Sequence, residues 1–162
     1  MSTPSTVRPA SAGARDVLGR FATGVTVVTA ATPAGPAGFT CQSFTSLSLG
    51  PPLVSLAPAR ASRTWPLIRR AGTFCVNVLA EDQRAVSDAF ARSAADRFAS
   101  VHWSPGEAGV PVLAGACAWF VCELLTEYDG GDHTIAVARV LGSRAGTGDP
   151  LVFHHGQYRS LA

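Results

Sequence analysis

Nine consecutive residues, Thr40-Cys41-Gln42-Ser43-Phe44-Thr45-Ser46-Leu47-Ser48, carry five hydroxyls and one carboxamide and no charge. A half-buried strand ordinarily alternates apolar and polar positions. Here Ser43, Thr45, Leu47 and Leu49 share one face and Gln42, Phe44, Ser46 and Ser48 the other, so neither face is cleanly apolar. Such a strand presents neutral donors and acceptors to a flat, uncharged, heteroatom-rich ligand, with Phe44 or Leu47 covering its apolar part. The competing reading is a solvated, Ser/Thr-rich edge strand without function. Further along, Ala59-Arg60-Ala61-Ser62-Arg63-Thr64 places two arginines and two hydroxyls ahead of a predicted helix. Backbone N–H groups at a helix start bind phosphate, and arginine adds a charge-assisted fork; the alternative is a plain Ser N-cap with solvated arginines.

A third stretch, Asp129-Gly130-Gly131-Asp132-His133, combines glycines that let a backbone turn tightly with a histidine directly after a carboxylate. That histidine can donate a proton, hold a carboxamide or offer a stacking surface; a hairpin turn with an exposed His is the bland alternative. His154-His155 suggests a metal, but adjacent strand residues point to opposite faces and no Cys/His/carboxylate spacing completes a site. No G-x-G-x-x-G follows a strand, and neither a P-loop nor a nucleophile elbow occurs. A nicotinamide cofactor would therefore bind by some route other than a Rossmann crevice.

These segments need a frame. The chain has 162 residues, 47% apolar, which predicts one domain with a real core and excludes wholesale disorder. Charged residues are only 15%, against about 25% in a typical soluble domain, which implies much buried surface and a subunit interface that removes more. The 13 arginines (there is no lysine) and 11 acidic residues are well mixed, so nothing tracks a phosphate backbone and nucleic acid is not an expected partner. Residues 21–59 hold no charge, yet Pro33, Pro36, Pro51, Pro52 and Pro58 cut the run into pieces too short to span a bilayer. The N-terminus lacks the apolar segment of a signal peptide, and a cytoplasmic protein without membrane contact is expected. The four cysteines read as small apolar core residues rather than bridges.

Residues 1–14 are Ser/Pro/Ala/Gly-rich and predict a loose arm, with one domain over 15–162. A short helix is expected over Asp16–Ala22, strands over Val25–Ala30, Phe39–Leu49 and Leu53–Ala57, and a helix over Ser62–Arg70 with Pro66 in its first turn. A strand Thr73–Leu79, a helix Glu81–Ala91, and paired strands Cys117–Tyr128 and His133–Leu141 joined by the Asp129 turn come next. Leu151–His154 and Gln157–Leu161 close the chain as a hairpin around His155-Gly156. Strands in succession with few short helices predict a mainly β fold, an antiparallel barrel with peripheral helices, rather than a doubly wound parallel sheet.

In order, the run Leu18–Thr29, Gly38–Pro52, Ser62-Arg63-Thr64-Trp65, Phe74–Leu79, Gly131-Asp132-His133 and Gly156-Gln157-Tyr158 resembles the short-chain flavin reductases that serve two-component flavin-dependent monooxygenases. The resemblance covers nearly everything from residue 16 onward. It implies an FMN-binding split β-barrel homodimer whose members pass a hydride from NADH, less often NADPH, to FMN or FAD. The reduced flavin then diffuses to a monooxygenase. By position, it implies that Gln42, Ser43 and Phe44 meet the isoalloxazine ring and that Ser46, Leu47 and Ser48, with Thr45 beside them, line the ribityl chain. Ala59, Arg60, Ser62 and Arg63 are expected at the phosphate, and Asn77, Arg97 and Phe98 in the flavin wall. His133, with Asp132 beside it, matches the family's Gly-Asp-His signature at the nicotinamide, and Tyr158 borders the same pocket. His133 is the expected catalytic residue, acting by orienting the carboxamide, since the flavin carries the chemistry.

The chain stops four residues after Tyr158, so the C-terminal regulatory domain of some relatives is expected to be missing. Two rival readings remain on the same scaffold: an FMN protein holding its flavin tightly and acting on its own organic substrate, and a non-enzymatic flavin-binding module.

Overall fold

The computed structural model describes residues 13–93 and 96–161; the arm expected over residues 1–14 lies outside them except for Gly13 and Ala14. A short helix, α1 (Ala14–Leu18), leads into β1 (Thr23–Gly24) and β2 (Thr26–Thr32). Then follow β3 (Gly35–Cys41), β4 (Thr45–Leu49), β5 (Pro52–Leu56), α2 (Trp65–Ala71), β6 (Thr73–Val78) and α3 (Arg84–Ala91). A small ribbon, β7 (Trp103–Pro105) and β8 (Pro111–Leu113), precedes the long β9 (Ala118–Gly130) and β10 (His133–Ala145). The closing hairpin is β11 (Val152–His154) and β12 (Gln157–Arg159).

Seven strands form one antiparallel sheet in the order β3-β2-β6-β9-β10-β5-β4. Laid flat, its edge strands would sit roughly 29 Å apart at about 4.8 Å per strand step. Yet the two edges, β3 and β4, are joined by only Gln42-Ser43-Phe44, a link that reaches at most about 14 Å. The sheet must therefore curl until its edges nearly meet, which makes it a barrel split along one seam. Ser43 fastens the seam: its Oγ accepts the Ala57 N–H at 2.8 Å and donates to the Ala57 carbonyl at 3.3 Å. A mainly β, antiparallel split barrel with peripheral helices is thus the observed architecture.

The barrel interior is filled by Val28, Ala30, Val54, Leu56, Phe74, Val76, Cys122, Ala136 and Ala138, with Trp65 and Ile68 of α2 closing it. The Trp65 indole N–H donates to Glu127 at 2.8 Å, so its polar edge is satisfied where it leaves the core. A second cluster, Val25, Val27, Leu79, Phe90, Leu113 and Leu151, covers the barrel's other side beneath α3. Strands β2 and β6 are buried on both faces, which is why their sequences run apolar almost without alternation. At Gly38 a Cβ would stand 2.9 Å from the Phe90 ring and 3.0 Å from the Val28 carbonyl, so glycine is what lets α3 lie against β3.

The structure corrects several expectations. The single strand predicted over Phe39–Leu49 is two strands on opposite sheet edges. The ribbon β7–β8 was not anticipated, and β9 and β10 run further than predicted, with register shifts at Val137/Ala138 and Val140/Gly142 that let them bend around the barrel. Predicted helix starts move: α1 begins at Ala14, α2 at Trp65 and α3 at Arg84. His154 and His155 do not face opposite ways, because His155 occupies the hairpin turn at φ 54 and their rings meet at 5.3 Å. Cys41, Cys75 and Cys122 are buried as expected, whereas Cys117 is half-buried just ahead of β9. Among the described residues, no helix is long and apolar enough to cross a membrane.

Candidate functional site

An open groove of about 1470 Å³ runs beside β3. One wall is β3 itself with the Gln42-Ser43 link, and another is the stretch 57–64 that leads into α2. Ser87 and Phe90 of α3, then Asp96, Arg97 and Phe98, form the far side, while His133 from the β9–β10 tip and Phe153 and Tyr158 from the closing hairpin complete the rim. Residues separated by more than a hundred positions converge here because the barrel seam, the long hairpin and the closing hairpin meet along one side.

The hairpin tip is tied to the 57–64 stretch by backbone pairing. Ala59 bridges His133, the Thr134 N–H donates to the Pro58 carbonyl at 2.9 Å, and the Arg60 N–H donates to the Asp132 carbonyl at 2.9 Å. His133 Nδ1 lies 2.6 Å from Asp132 Oδ1. The bond from His133, and then its charge, hold the Asp132 carboxyl below the usual range; an ionised carboxylate only accepts, so Nδ1 is the donor. Nε2 is left as the polar atom of the ring.

Ser62 Oγ accepts the Trp65 N–H at 3.0 Å, although the N-cap position of α2 is Thr64, and Ser62 lines the groove as well. Arg63 is exposed in the groove and forms no ion pair among the described residues. Arg97 crosses from the other side, donating through one nitrogen to the Gly38 carbonyl at 2.6 Å and to Thr64 Oγ1 at 3.1 Å. Against these two guanidiniums the groove lining holds a single carboxylate among the described residues, Asp96, so the lining around them favours an anion.

The Tyr158 hydroxyl sits 2.8 Å from Ser87 Oγ and donates to Asp88 at 3.0 Å, with the Arg84 guanidinium 5.2 Å above its ring. Burial, reinforced by the nearby Asp88 charge, pushes its hydroxyl pKa up, so it acts as a neutral donor. Thr40 Oγ1 donates to the Ser87 carbonyl at 2.7 Å, pinning α3 to the groove floor. Cys41 also lines the groove, but burial pushes its thiol up and away from reactivity.

Of the residues singled out from the sequence, Gln42, Ser43, Ala59, Ser62, Arg63, Arg97, Phe98, His133 and Tyr158 line this groove together. The others do not. Phe44 turns inward and packs on Phe120 at 5.5 Å, because the seam link carries it over the barrel's edge. Thr45, Ser46, Leu47 and Ser48 lie on β4, across the seam from β3, and do not line the groove. Asn77 is fully buried: its amide donates to the Val27 carbonyl and Thr29 Oγ1 at 3.0 and 3.1 Å and accepts the Leu113 N–H at 2.9 Å. It is a core fastener, not a wall. Arg60 turns to the hairpin, donating to the Gly131 carbonyl at 2.7 Å and to Asp129 at 2.6 Å. Asp132 is exposed, with its carboxylate 2.6 Å from His133 Nδ1. Thr40, which opens the polar stretch singled out from the sequence, lines the groove too, whereas Ser87, Phe90 and Phe153 were missed, since each reads locally as an ordinary strand or helix residue.

Residues 18–162 match the model of the flavin reductase like domain, and the chain belongs to that family. The class is that of an oxidoreductase acting on flavin. The reductase subunit HsaB of a flavin-dependent monooxygenase from Rhodococcus jostii (strain RHA1) is 45% identical over 148 residues, covering 91% of this chain and 76% of that protein. FMN reductase (NADH) SmoA from Agrobacterium fabrum (strain C58 / ATCC 33970) is 45% identical over 144 residues, 89% of this chain and 82% of its own. Among solved structures, the Streptomyces globisporus C-1027 NADH:FAD oxidoreductase SgcE6, in complex with NAD and FAD fragments, superposes with a TM-score of 0.91 at 35% identity, over 98% of both chains. The family and fold class that the sequence resemblance implied are therefore borne out.

Proposed function

We propose that this chain uses NADH to reduce FMN or FAD and releases the reduced flavin to a partner monooxygenase. The observation that carries the reading is one groove whose lining brings together Ser62 and the cations Arg63 and Arg97, the uncharged polar residues Thr40 and Gln42, and His133. The groove's volume, about 1470 Å³, exceeds the roughly 300–1,000 Å³ of a single-ligand pocket, which supports a site shared by flavin and nicotinamide. When bound, the flavin supplies the redox chemistry as hydride acceptor.

The chain's own residues bind and orient. Ser62 and Arg63 hold the phosphate, with Arg97 completing the cation set. Ser43 is committed to Ala57, which leaves Gln42 as the neutral side-chain donor where negative charge develops. Nε2 of His133 orients the nicotinamide carboxamide, while Asp132 fixes the ring through Nδ1. Tyr158 borders that position with its proton retained. A second copy of the chain covers the β4 edge, where Leu47 and Leu49 are 52% and 90% exposed, and places Thr45–Ser48 within reach of a bound flavin. A homodimer follows from the family resemblance, while a single domain from residue 15 onward and a cytoplasmic site of action are the reading of the chain's composition and patterning.

The test is steady-state NADH and NADPH oxidation with and without added FMN and FAD. Turnover that saturates with free flavin and prefers NADH is expected; no oxidation with any pair, despite flavin binding, overturns the reading. His133→Ala is expected to slow flavin reduction about tenfold or more, the scale of a lost orienting contact, while leaving flavin affinity within about twofold.

A further inference from the structure

Arg60 is placed by the resemblance among the phosphate ligands, yet its guanidinium points to the opposite partner. Nε donates to the Gly131 carbonyl at 2.7 Å and a terminal nitrogen donates to Asp129 Oδ1 at 2.6 Å. That same carboxylate oxygen accepts the Gly131 N–H at 2.9 Å. One side chain thus grips both the carbonyl of the turn and the carboxylate that caps it. The turn needs such a grip: Gly130 and Gly131 offer no side chain to pack, and Gly131 sits at φ 77. Its main chain is engaged as well, through the Arg60 N–H to Asp132 and the Ala59–His133 bridge.

Both charges are well exposed, 52% and 80% at the side chains, so the pair adds little to global stability. What it fixes is direction. His133 follows the gripped turn by two residues, and Ser62 follows Arg60 by two. We infer that Arg60 is a positioning residue that couples the anion-binding stretch to His133, holding the histidine over the groove rather than binding phosphate itself. This rests on the flavin reductase reading of the groove. Lysine cannot replace it, since a point ammonium does not reproduce a fork to a carbonyl and a carboxylate at once.

The experiment compares Arg60→Gln, Arg60→Lys and Asp129→Asn in the full chain. Positioning predicts that Arg60→Gln and Asp129→Asn each lower the reduction rate at saturating NADH by about five- to tenfold, the cost of a misplaced orienting group. Affinities for FMN and for riboflavin stay within about twofold, and Arg60→Lys recovers only part of the rate. In a His133→Ala background neither change lowers the rate further. Independently of activity, amide hydrogen exchange at Gly131 accelerates in both variants. An Arg60→Gln variant that binds FMN weakly but riboflavin normally, beside a silent Asp129→Asn, would make Arg60 a phosphate ligand and overturn the inference. Full rates in both variants, or unchanged Gly131 exchange, overturn it too. A wild-type protein that does not reduce flavin with NADH, while its Gly131 exchange responds as stated, removes the functional reading and leaves the grip intact.

Discussion

Asn77→Ala separates a core role from a role at the groove, and its size follows from the bonds it removes. The side chain is fully buried and makes four hydrogen bonds, two donated and two accepted, the weakest from the Cys75 thiol at 3.6 Å. In the variant the Leu113 N–H has no acceptor in a place that water does not reach, which costs about 1–3 kcal/mol. The Val27 carbonyl loses a donor at about 0.5–1.5 kcal/mol net. Thr29 loses least, since its hydroxyl still donates to the Pro111 carbonyl at 2.5 Å. With the small void left by the amide, the loss comes to about 3 kcal/mol. At a urea slope of about 2 kcal/mol/M this moves the unfolding midpoint down by roughly 1.5 M without changing the slope. Tryptophan fluorescence follows the transition, and a flavin titration in native buffer is expected to change by less than about twofold. A midpoint within about 0.3 M of wild type, together with a tenfold loss of flavin affinity, would refute the reasoning and put Asn77 back in the cofactor wall.

Burial pushes the Cys75 and Cys122 thiols up to about 12, so at pH 8 the thiolate is roughly one part in ten thousand; alkylation of the native protein is expected first at half-buried Cys117, and equal labelling of Cys75 would contradict the barrel interior. Asp129 is held below the usual carboxyl range by the Gly131 N–H and by Arg60, and Asp132 by His133. A lowered folded-state value means the turn's stabilisation is complete above the unfolded value, near 3.9, and is lost as pH falls through the folded one; carbon NMR titrations of both carboxyls should show low midpoints, with that of Asp129 rising in Arg60→Gln, and ordinary midpoints would refute the geometry.

The barrel was legible from β-branched runs and turn residues, because strand propensity and glycine placement are local properties. The seam was not. Phe39–Leu49 keeps strand-like composition throughout, and nothing local announces that the chain leaves one sheet edge at Gln42 and joins the other at Thr45. That jump shapes the groove: it brings Gln42 and Ser43 to its lining, turns Phe44 into the core and puts Thr45–Ser48 on the other side of the seam. Asn77 did carry a signal, since an amide flanked by Cys75, Val76, Val78 and Leu79 sits in a strand apolar on both faces, where a polar group must be satisfied internally. The ribbon β7–β8 was hidden by Pro105, Gly106, Gly109 and Pro111, which read as loop. Arg60 could not be told from Arg63 by sequence, because which arginine meets the hairpin depends on a bridge between residues more than seventy positions apart.

The closing hairpin has a consequence for how the protein is made. Thr23 pairs with Phe153 and Gly24 with Val152, and the His155 N–H donates to the Gly19 carbonyl at 2.8 Å. The first described segment is thus fastened to the last, across about 130 positions of chain. On a ribosome, α1 and β1 wait without their partners until nearly everything else has emerged, a long-range closure of the kind that folds late. Phe153 and Tyr158 arrive in that same final step and belong to the groove rim. A nascent chain therefore completes its barrel wall before its binding groove, and premature termination near residue 150 yields a protein with most of its core and only part of its site.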